Sequence, residues 1–442
     1  MEQLLHYVWR HKILPLHELR TTDGRVVEVV NPGIYNHDAG PDFFNAKVKI
    51  DGQLWVGNVE IHIHSSDWHR HHHDNDEAYQ NVILHVVNEA DCEVSYPNDP
   101  DKKIPQLVLE VPDYVLQNYD ELARSDVQPR CKNVVATLPR LMVNSWLSAL
   151  QIERLEERTL QIMARREQCD KNWEDTFFVT MARNFGFGIN GDAFETWART
   201  VPLSAVGKHR DSLFQIEAIF FGQAGLLDEF LFGADEYYDK LQKEYLYLKH
   251  KFSLKSMNPK LWRFLRLRPQ NFPHIRIAQL AMLYYEQKLN FSSLIAAETE
   301  KDLHELFSTQ VSEYWQTHYS FNTESSKSSE KNLSSASKNL LIINTVAPLL
   351  FAYGRYKGSE ELCERSLHFL QQQKTESNSI VRTWSDAGVH CESAADSQAL
   401  IQLHRKYCEP HNCLRCRFGY EFIRRTPDFL KEKEKSKMKN EE

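Results

Sequence analysis

The sequence predicts an α/β domain at the N-terminus, followed by a large, mainly α-helical region that ends in a cysteine-rich metal knuckle. Three observations lead to this prediction. Runs of β-patterned residues occur up to about residue 112. An apolar periodicity typical of helices begins near Leu138 and continues from there. Three of the eight cysteines fall within nine residues late in the chain.

The first 115 residues carry one helical pattern followed by strand patterns. Residues 2–12 place Leu5, Val8 and Trp9 on one side of a short helix. Asp-Gly pairs at 23–24 and 51–52 are typical of tight hairpin turns. Residues 74–80 are expected to form a further short helix. The strands are predicted at residues 25–30, 45–50, 55–64, 81–87 and 106–111.

Helical spacing dominates after residue 138. In residues 146–168, Leu147, Leu150 and Leu155 recur at near-helical intervals with charged residues between them. Aromatic residues such as Trp173 and Phe177 sit at core spacing, so they are interpreted as packing residues. Further helices are predicted at residues 175–187, 211–227, 237–250, 274–287 and 338–353.

The most informative segment is GPDFFNAKVKIDGQLWVGNVEIHIH at residues 40–64. Asp42 precedes one predicted strand, and Glu60, His62 and His64 occupy alternate positions of the next strand. Alternate side chains of a strand share a face, so we expect these three to point the same way. Carboxylates and imidazoles gathered at a sheet edge are typical ligands of a divalent cation.

The Pro-Asp pair at 41–42, followed by Glu-Ile-His at 60–62, resembles the core of the PD-(D/E)xK nuclease superfamily. The resemblance implies a restriction-endonuclease-like mixed sheet and a Mg²⁺ or Mn²⁺ ion bound by Asp42 and Glu60, which assists hydrolysis of a DNA or RNA phosphodiester. His62 stands where that superfamily has lysine, and a neutral imidazole is not a permanent cation. It would position the water or complete the ligand set, and Lys47 or Lys49 could supply the missing charge.

The whole chain is also similar to an uncharacterised bacterial family known only as a domain of unknown function. The motifs GPDF and VEIH, a DW-plus-histidine segment and a late cysteine cluster recur in that family. This similarity covers nearly the full length, and it implies no activity.

Histidines are concentrated around the same segment. Seven of the 20 histidines lie between His62 and His85. His64 and His85 are candidate metal ligands beside Asp42 and Glu60, whereas those of residues 65–74 are interpreted as part of a polar loop or as further ligands. An unpaired polar group on a core strand costs about 1–3 kcal/mol, which favours a bound ion.

Two other functions fit the same residues. The first is a cupin-like or other histidine-based metalloenzyme using His62, His64 and His85. Gly57, the two strand histidines and Asp67 approach the cupin motif, but both spacings between these motif residues differ from it by one residue. A cupin barrel also needs about eight strands, and about five are predicted here. The second is a catalytically inactive nucleic-acid-binding or scaffold protein that keeps a nuclease-like core without the lysine.

Cys408, Cys413 and Cys416 form a C-x4-C-x2-C pattern. In a cytoplasmic chain this pattern indicates a metal knuckle rather than a disulfide framework. Both Zn²⁺ and an iron–sulfur cluster are consistent with it. Sulfurs that share one metal should lie within about 4 Å of one another.

The fourth ligand of the knuckle remains open between Cys391, His404, His411 and Cys131. Some nucleases of the PD-(D/E)xK superfamily bind an iron–sulfur cluster through one early and three late cysteines. Cys131 together with the three late cysteines resembles that distribution.

Composition limits the location and the partners of the chain. The 442 residues carry a net charge of −8. Nucleic-acid-binding domains usually carry an excess of basic residues, so this charge does not indicate such binding, but it is compatible with local basic patches. No apolar run approaches about 18 residues, so a cytoplasmic protein without a membrane span is expected. Arg263, Arg266, Arg268 and Arg276 form the densest arginine cluster. They are interpreted as a solvated helix face or as contacts to nucleic-acid phosphates.

Five segments are predicted from these patterns. They are a nuclease-like α/β domain (1–115), a helical domain (116–321), a disordered linker or surface loop (322–337), a helical C-terminal region with the cysteines (338–426) and a charged tail (427–442). The linker is rich in serine, lysine and glutamate and has no aromatic residue.

Overall fold

The computed structural model describes residues 1–14, 17–36, 38–227 and 235–426. Among the described residues, the chain forms two compact units, one of residues 1–138 together with 405–426, the other within residues 139–404. The predicted C-terminal region, 338–426, is thus shared between these two units. The predicted charged tail, 427–442, lies outside the described residues.

The N-terminal unit is built on a mixed β-sheet. Its strands are β1 (Leu19–Arg20), β2 (Val26–Asn31), β3 (Ile34–Tyr35), β4 (Phe43–Ile50), β5 (Gln53–His64), β6 (Val82–Glu89), β7 (Ser95–Tyr96), β8 (Asp99–Lys103) and β9 (Gln106–Val108). The sheet order is β1-β2-β4-β5-β6-β9, with β3 beside β4, while β7 and β8 form a separate hairpin. Strands β2, β4 and β5 are antiparallel, whereas β6 runs parallel to β5 and β9 parallel to β6.

The two edges of this sheet approach each other. Thr21, next to β1, forms an antiparallel bridge with Leu107 of β9. The backbone N–H of Thr22 donates to the carbonyl of Gln106 at 2.8 Å. The sheet therefore curls until it is nearly a barrel.

Two local features set the register around β5. Asp51 and Gly52 both have positive φ, 49° and 81°, as a tight hairpin turn between β4 and β5 requires. Gly57 lies where β6 comes close, because a Cβ atom there would meet Cγ2 of Ile83 at 2.4 Å. Strand β6 can therefore pair with the second half of β5, where Glu60 and His62 lie.

The early helices of this unit pack around the sheet. They are α1 (Glu2–Arg10), α2 (Asp67–Arg70), α3 (Asp113–Arg124) and α4 (Lys132–Val135), with 3₁₀ turns at His73–Asn75 and Glu77–Tyr79. Leu4, Leu5, Val8 and Trp9 of α1 are buried, and α1 contacts β5. The first helix is therefore fixed against the strand that carries Glu60.

The second unit is mainly helical. Its helices are α5 (Arg140–Gln168), α6 (Trp173–Phe185), α7 (Gly191–Thr200), α8 (Leu203–Lys208), α9 (Leu213–Gln223), α10 (Glu236–Phe252), α11 (Pro273–Tyr285), α12 (Phe291–Ala296), α13 (Glu300–Leu306), α14 (Glu313–Thr317), α15 (Ser335–Leu341), α16 (Ala347–Lys357), α17 (Glu360–Gln372), α18 (Ser379–Asp386) and α19 (Ala394–Leu403). Phe178, Trp197, Phe220 and Tyr245 are among its fully buried residues. An N-terminal mixed sheet followed by a mainly helical region confirms the predicted fold class at this level.

The segment 322–337, predicted as a linker or loop, lies inside the helical unit. It follows strand β10 (His318–Ser320), contains β11 (Thr323–Glu324) and leads into α15, and its Lys331 and Leu333 are buried. From Ser335 to Lys357 the helical stretch is long and apolar enough to span a bilayer by length and composition alone. However, 61% of its most apolar 18-residue segment is buried inside the structure. That degree of burial is typical of a core helix.

The last described residues complete the N-terminal unit. Helix α20 (Arg417–Ile423) follows a 3₁₀ turn at Cys413–Arg415 and packs on α3 and α4. The side-chain amide of Asn118 donates to the carbonyls of Phe422 and Ile423 at 3.3 and 3.0 Å. These contacts bring the late cysteines to the same region as Cys131.

Candidate metal centre

Asp42 and Glu60 lie side by side on neighbouring strands. Phe43 pairs with Val59 in the β4–β5 register, which places Asp42 opposite Glu60. The backbone N–H of Asp42 donates to Oε2 of Glu60 at 3.0 Å, and the backbone N–H of Ile61 donates to Oδ2 of Asp42 at 2.9 Å. The Glu60 carboxylate is therefore bound by the backbone N–H of Asp42, and the Asp42 carboxylate is bound by the backbone N–H of the residue that follows Glu60.

The carboxyl group of Glu60 is almost completely buried. The residue is 4% exposed. Burial, reinforced by the negative charge of Asp42, raises its pKa well above the usual value. A carboxylate in this environment is costly unless a cation faces it.

Three histidines gather next to Glu60, and two of them contact its carboxylate. One ring nitrogen each from His62, His71 and His73 lies within 4.8 Å of the others. Nε2 of His62 is 3.2 Å from Nδ1 of His71 and 3.4 Å from Oε1 of Glu60. Nε2 of His73 is 3.2 Å from the same glutamate oxygen. The three imidazoles form a nitrogen donor set suited to a divalent transition metal, and the Glu60 carboxylate contacts two of them.

The loop after β5 folds back to bring His71 and His73 to the strand. The carboxylate of Asp67 accepts the backbone N–H of His64 at 3.2 Å and pairs with Arg70 at 2.7 Å. His72 adopts a left-handed conformation with φ of 64°, which turns the chain between His71 and His73. His73 then stacks on the ring of Tyr79 at 3.8 Å between centroids.

His85 supports His62 from the neighbouring strand. Its Nε2 is 2.9 Å from Nδ1 of His62, and in the parallel β5–β6 register His85 pairs with Glu60. Burial, reinforced by neighbouring imidazoles, lowers the pKa of His62 to about 2 and that of His85 to about 3. Both rings are neutral at physiological pH, the state that a metal ligand requires.

His6, on α1, lies next to Asp42. Its Nε2 is 3.3 Å from Oδ2 of Asp42, and its Nδ1 is 3.4 Å from the hydroxyl of Tyr35. Burial opposes protonation of this ring, but the hydrogen bond and charge of Asp42 outweigh it, so the pKa of His6 is raised. Sequence reasoning missed His6 because 35 residues separate it from Asp42. The one signal was a polar residue in a helix that otherwise packs on the sheet.

Several predicted residues lie away from this cluster. His64 faces Glu89, with 3.4 Å between Nδ1 and Oε2, and both side chains are substantially exposed. Lys49 pairs with Glu28 at 3.0 Å, and Lys47 is exposed. Asp42, Glu60, His62 and His85 are thus brought together, whereas His64 is not.

The late cysteines share their neighbourhood with Cys131. Burial is the main cause of the raised pKa of the Cys131 thiol, and the charges of Cys416, Cys408 and Cys413 add to it. Burial, reinforced by Cys416 and Cys413, likewise raises the pKa of the Cys408 thiol. The four cysteines therefore share one neighbourhood, and the expected separation of about 4 Å between the late sulfurs stays a prediction.

The predicted arginine track is divided. Arg263, Arg266 and Arg268 are exposed, whereas Arg276 is buried in α11. The exposed three do not form a helix face, because residues 262–268 lie between the 3₁₀ turns Pro259–Leu261 and Pro269–Asn271.

Residues 2–379 match the family model described as protein of unknown function (DUF2851). No curated protein and no solved structure matches the chain.

Proposed function

The chain belongs to the family described as protein of unknown function (DUF2851), and we propose that it is a metal-dependent nuclease. The observation that carries the proposal is the position of the buried Glu60 carboxylate. It lies beside Asp42 and within 3.4 Å of ring nitrogens of both His62 and His73. The expected substrate is a phosphodiester of DNA or RNA.

The order of elements supports this proposal. Helix α1 precedes the antiparallel strands β2, β4 and β5, and the short α2 leads into the parallel strand β6. Asp42 lies just before the second strand of this meander and Glu60 lies on the third. The resemblance to PD-(D/E)xK nucleases implies the same order and the same two positions.

The donor set favours Mn²⁺ or Zn²⁺ over Mg²⁺. Mg²⁺ prefers oxygen ligands and retains several waters, whereas imidazole suits transition metals. His62, His71, His73 and Glu60 would hold the ion, with Asp42 adjacent. The bound ion would supply Lewis-acid polarisation of the phosphodiester and a water of lowered pKa.

His6 takes the place of the superfamily lysine in this proposal. It faces Asp42 and its pKa is raised, so it carries positive charge more readily than an exposed imidazole. It reaches the carboxylates from α1 instead of from β5. His62 is thereby left to bind metal, which explains why a neutral ring can occupy the lysine position.

A histidine-based metalloenzyme of another kind is the second candidate, and the three-histidine set favours it. The parallel pairings of β5 with β6 and of β6 with β9 differ from the all-antiparallel barrel of a cupin. The cupin-like version of this candidate is therefore the weaker one.

A cleavage assay with matched variants tests the proposal. The full chain should cleave at least one of single- or double-stranded DNA or RNA with Mn²⁺ or Zn²⁺, and His62→Gln should lose this activity. His64→Gln is the control, because His64 is on the same strand but outside the cluster. A wild-type protein that binds metal but cleaves none of these substrates would favour the second candidate, and one that binds neither metal nor substrate would contradict both.

The four cysteines support a separate structural site. Sulfurs bound to one zinc at about 2.3 Å must lie close together, whereas an iron–sulfur cluster takes each cysteine on a different iron. Because Cys131 with Cys408, Cys413 and Cys416 matches the one-early, three-late distribution of the cluster-binding nucleases, and these thiols lie close enough to raise one another's pKa, we favour the cluster over zinc. Its role would be to fasten α20 to α3 and α4.

A further inference from the structure

The helical unit contains a polar cavity of about 190 Å³ between α11 and the segment that leads into α15. Its wall carries two cations, Arg276 and Lys331, together with amides and the hydroxyls of Ser329, Ser334 and Ser337. No carboxylate is among the described residues that line it. The volume is several times the roughly 30 Å³ that one water occupies in the liquid.

Arg276 has more N–H donors than the described protein acceptors around it satisfy. The residue is 6% exposed. Its Nη1 donates to Oε1 of Gln279 at 2.9 Å, and its Nη2 donates to Oδ1 of Asn271 at 2.6 Å. Its Nε is buried and has no partner in the described part of the chain. Two of the five N–H groups of a guanidinium are thus used, and a buried one is unsatisfied.

Among the described residues, no carboxylate neutralises the charges in the cavity. Neither Arg276 nor Lys331 forms an ion pair with a described carboxylate. The ammonium of Lys331 instead donates to the carbonyls of Gln316 at 2.8 Å, His318 at 3.0 Å and Trp315. Burial lowers the pKa of Arg276 to about 10, so it remains charged at neutral pH. A buried cation without a counter-charge is costly.

We propose that this cavity binds a phosphate group, either as the free ion or as the phosphomonoester of a nucleotide. The guanidinium fork is suited to the oxygens of a tetrahedral anion, and serine hydroxyls and amides complete such sites. Lys331 adds positive charge to the cavity wall, and its ammonium is held by hydrogen bonds to backbone carbonyls. This site lies wholly within the helical unit and does not depend on the proposed nuclease centre.

Calorimetric titration of the full chain with inorganic phosphate and with adenosine monophosphate, at constant ionic strength in chloride, tests the site. One equivalent should bind, and Arg276→Gln should weaken binding at least tenfold. Arg266→Gln is the matched control, since Arg266 is exposed on the preceding segment, and it should bind as the wild type does. Tighter binding of the nucleotide identifies a phosphomonoester site, and equal or weaker binding identifies a site for the free ion.

A second pair of variants keeps the test independent of any folding defect at Arg276. The hydroxyl of Ser334 accepts the backbone N–H of Ser337 at 3.2 Å and caps α15, a role that Asp and Asn both perform well. Ser334→Asp adds a carboxylate to the cavity wall, so it should abolish the rise in melting temperature that phosphate causes. Ser334→Asn should retain that rise. Absence of binding to the wild type, or wild-type binding by both Arg276→Gln and Ser334→Asp, would overturn the proposal.

Discussion

His62 and His85 share one hydrogen bond, with 2.9 Å between Nδ1 of His62 and Nε2 of His85. Both rings are neutral at physiological pH, so one nitrogen donates and the other accepts. If Nδ1–H of His62 donates, its Nε2 lone pair faces Glu60 and His71. A metal bound at Nε2 of His62 would require this tautomer, and His85 would then be the acceptor that holds it.

Replacement of His85 should weaken metal binding without loss of the fold. His85→Leu removes the acceptor for His62 and also a buried ring nitrogen that has no partner among the described residues. We expect metal affinity to fall about 10- to 100-fold, as for other groups that orient a ligand. His85→Gln, which offers an acceptor oxygen, should recover part of the loss. Titration with Mn²⁺ and Zn²⁺ measures the effect, and unchanged affinity in His85→Leu would contradict this role.

His71 and His69 provide a matched pair within one loop. His71 lies 3.2 Å from His62, whereas His69 faces Asp74 at 3.7 Å and is about half exposed. His71→Gln should reduce bound metal to well below one equivalent in elemental analysis after dialysis, because it removes one of three imidazole donors. His69→Gln should retain the wild-type content. Equal metal loss in both variants would show that the loop as a whole, and not this ligand, matters.

Glu60→Gln should increase the stability of the metal-free protein and abolish cleavage. The substitution keeps an acceptor for the backbone N–H of Asp42 but removes a buried ionisable group whose negative form is costly there. In the metal-free protein we expect stability to rise by about 1–3 kcal/mol, the range for an uncompensated buried polar group. Cleavage should be lost and metal should no longer stabilise the protein. Thermal unfolding with and without Mn²⁺ measures this, and a destabilised metal-free variant would contradict the burial cost assigned to Glu60.

Sequence periodicity located the elements better than it located the site. The strand predicted at 55–64 is Gln53–His64, and the helix predicted at 274–287 is Pro273–Tyr285. The buried residues of these elements recur at the regular intervals of a strand or a helix, so a local sequence pattern is enough to predict them. The convergence of His71 and His73 depends on the left-handed backbone at His72, and His6 depends on docking of α1. Such long-range and loop geometry leaves no periodic trace, so these residues were not separable from a polar loop or a helix surface.

The helical unit should lose stability as pH rises from about 4.5 to about 7 because of Glu217. Burial raises the pKa of its carboxyl to about 7, although Tyr237 and Ser312 donate hydrogen bonds to it at 2.6 and 2.8 Å. The unfolded chain releases this proton near pH 4.5 and the folded chain near pH 7. The free energy of unfolding should therefore fall by about 3 kcal/mol between pH 4.5 and pH 7.5 on account of this group alone.

Glu217→Gln should remove that contribution to the slope, as measured by denaturant unfolding across the pH range. Glu195 gives a control of opposite sign. Burial opposes its ionisation, but hydrogen bonds from Arg165 and Arg199 lower its pKa to about 2. Its contribution is present above pH 4.5 and is lost as pH falls toward 2, so Glu195→Gln should destabilise the protein at pH 7. An unchanged slope in Glu217→Gln would contradict a buried, late-titrating carboxyl.

The four-cysteine region should depend on its metal for stability. Cys413→Ser removes one thiolate, and it should lower the melting temperature by several degrees while the histidine cluster still binds Mn²⁺, since the two sites share no residue. Cys131→Ser should have a similar effect, because its thiol lies among the other three. Cys363→Ser is the control, a partly buried cysteine of the helical unit that contacts the carbonyl of Phe351. Protein purified without oxygen should be brown and contain iron and acid-labile sulfide; colourless protein with one equivalent of zinc would assign a zinc site instead, and protein with neither metal would contradict the site.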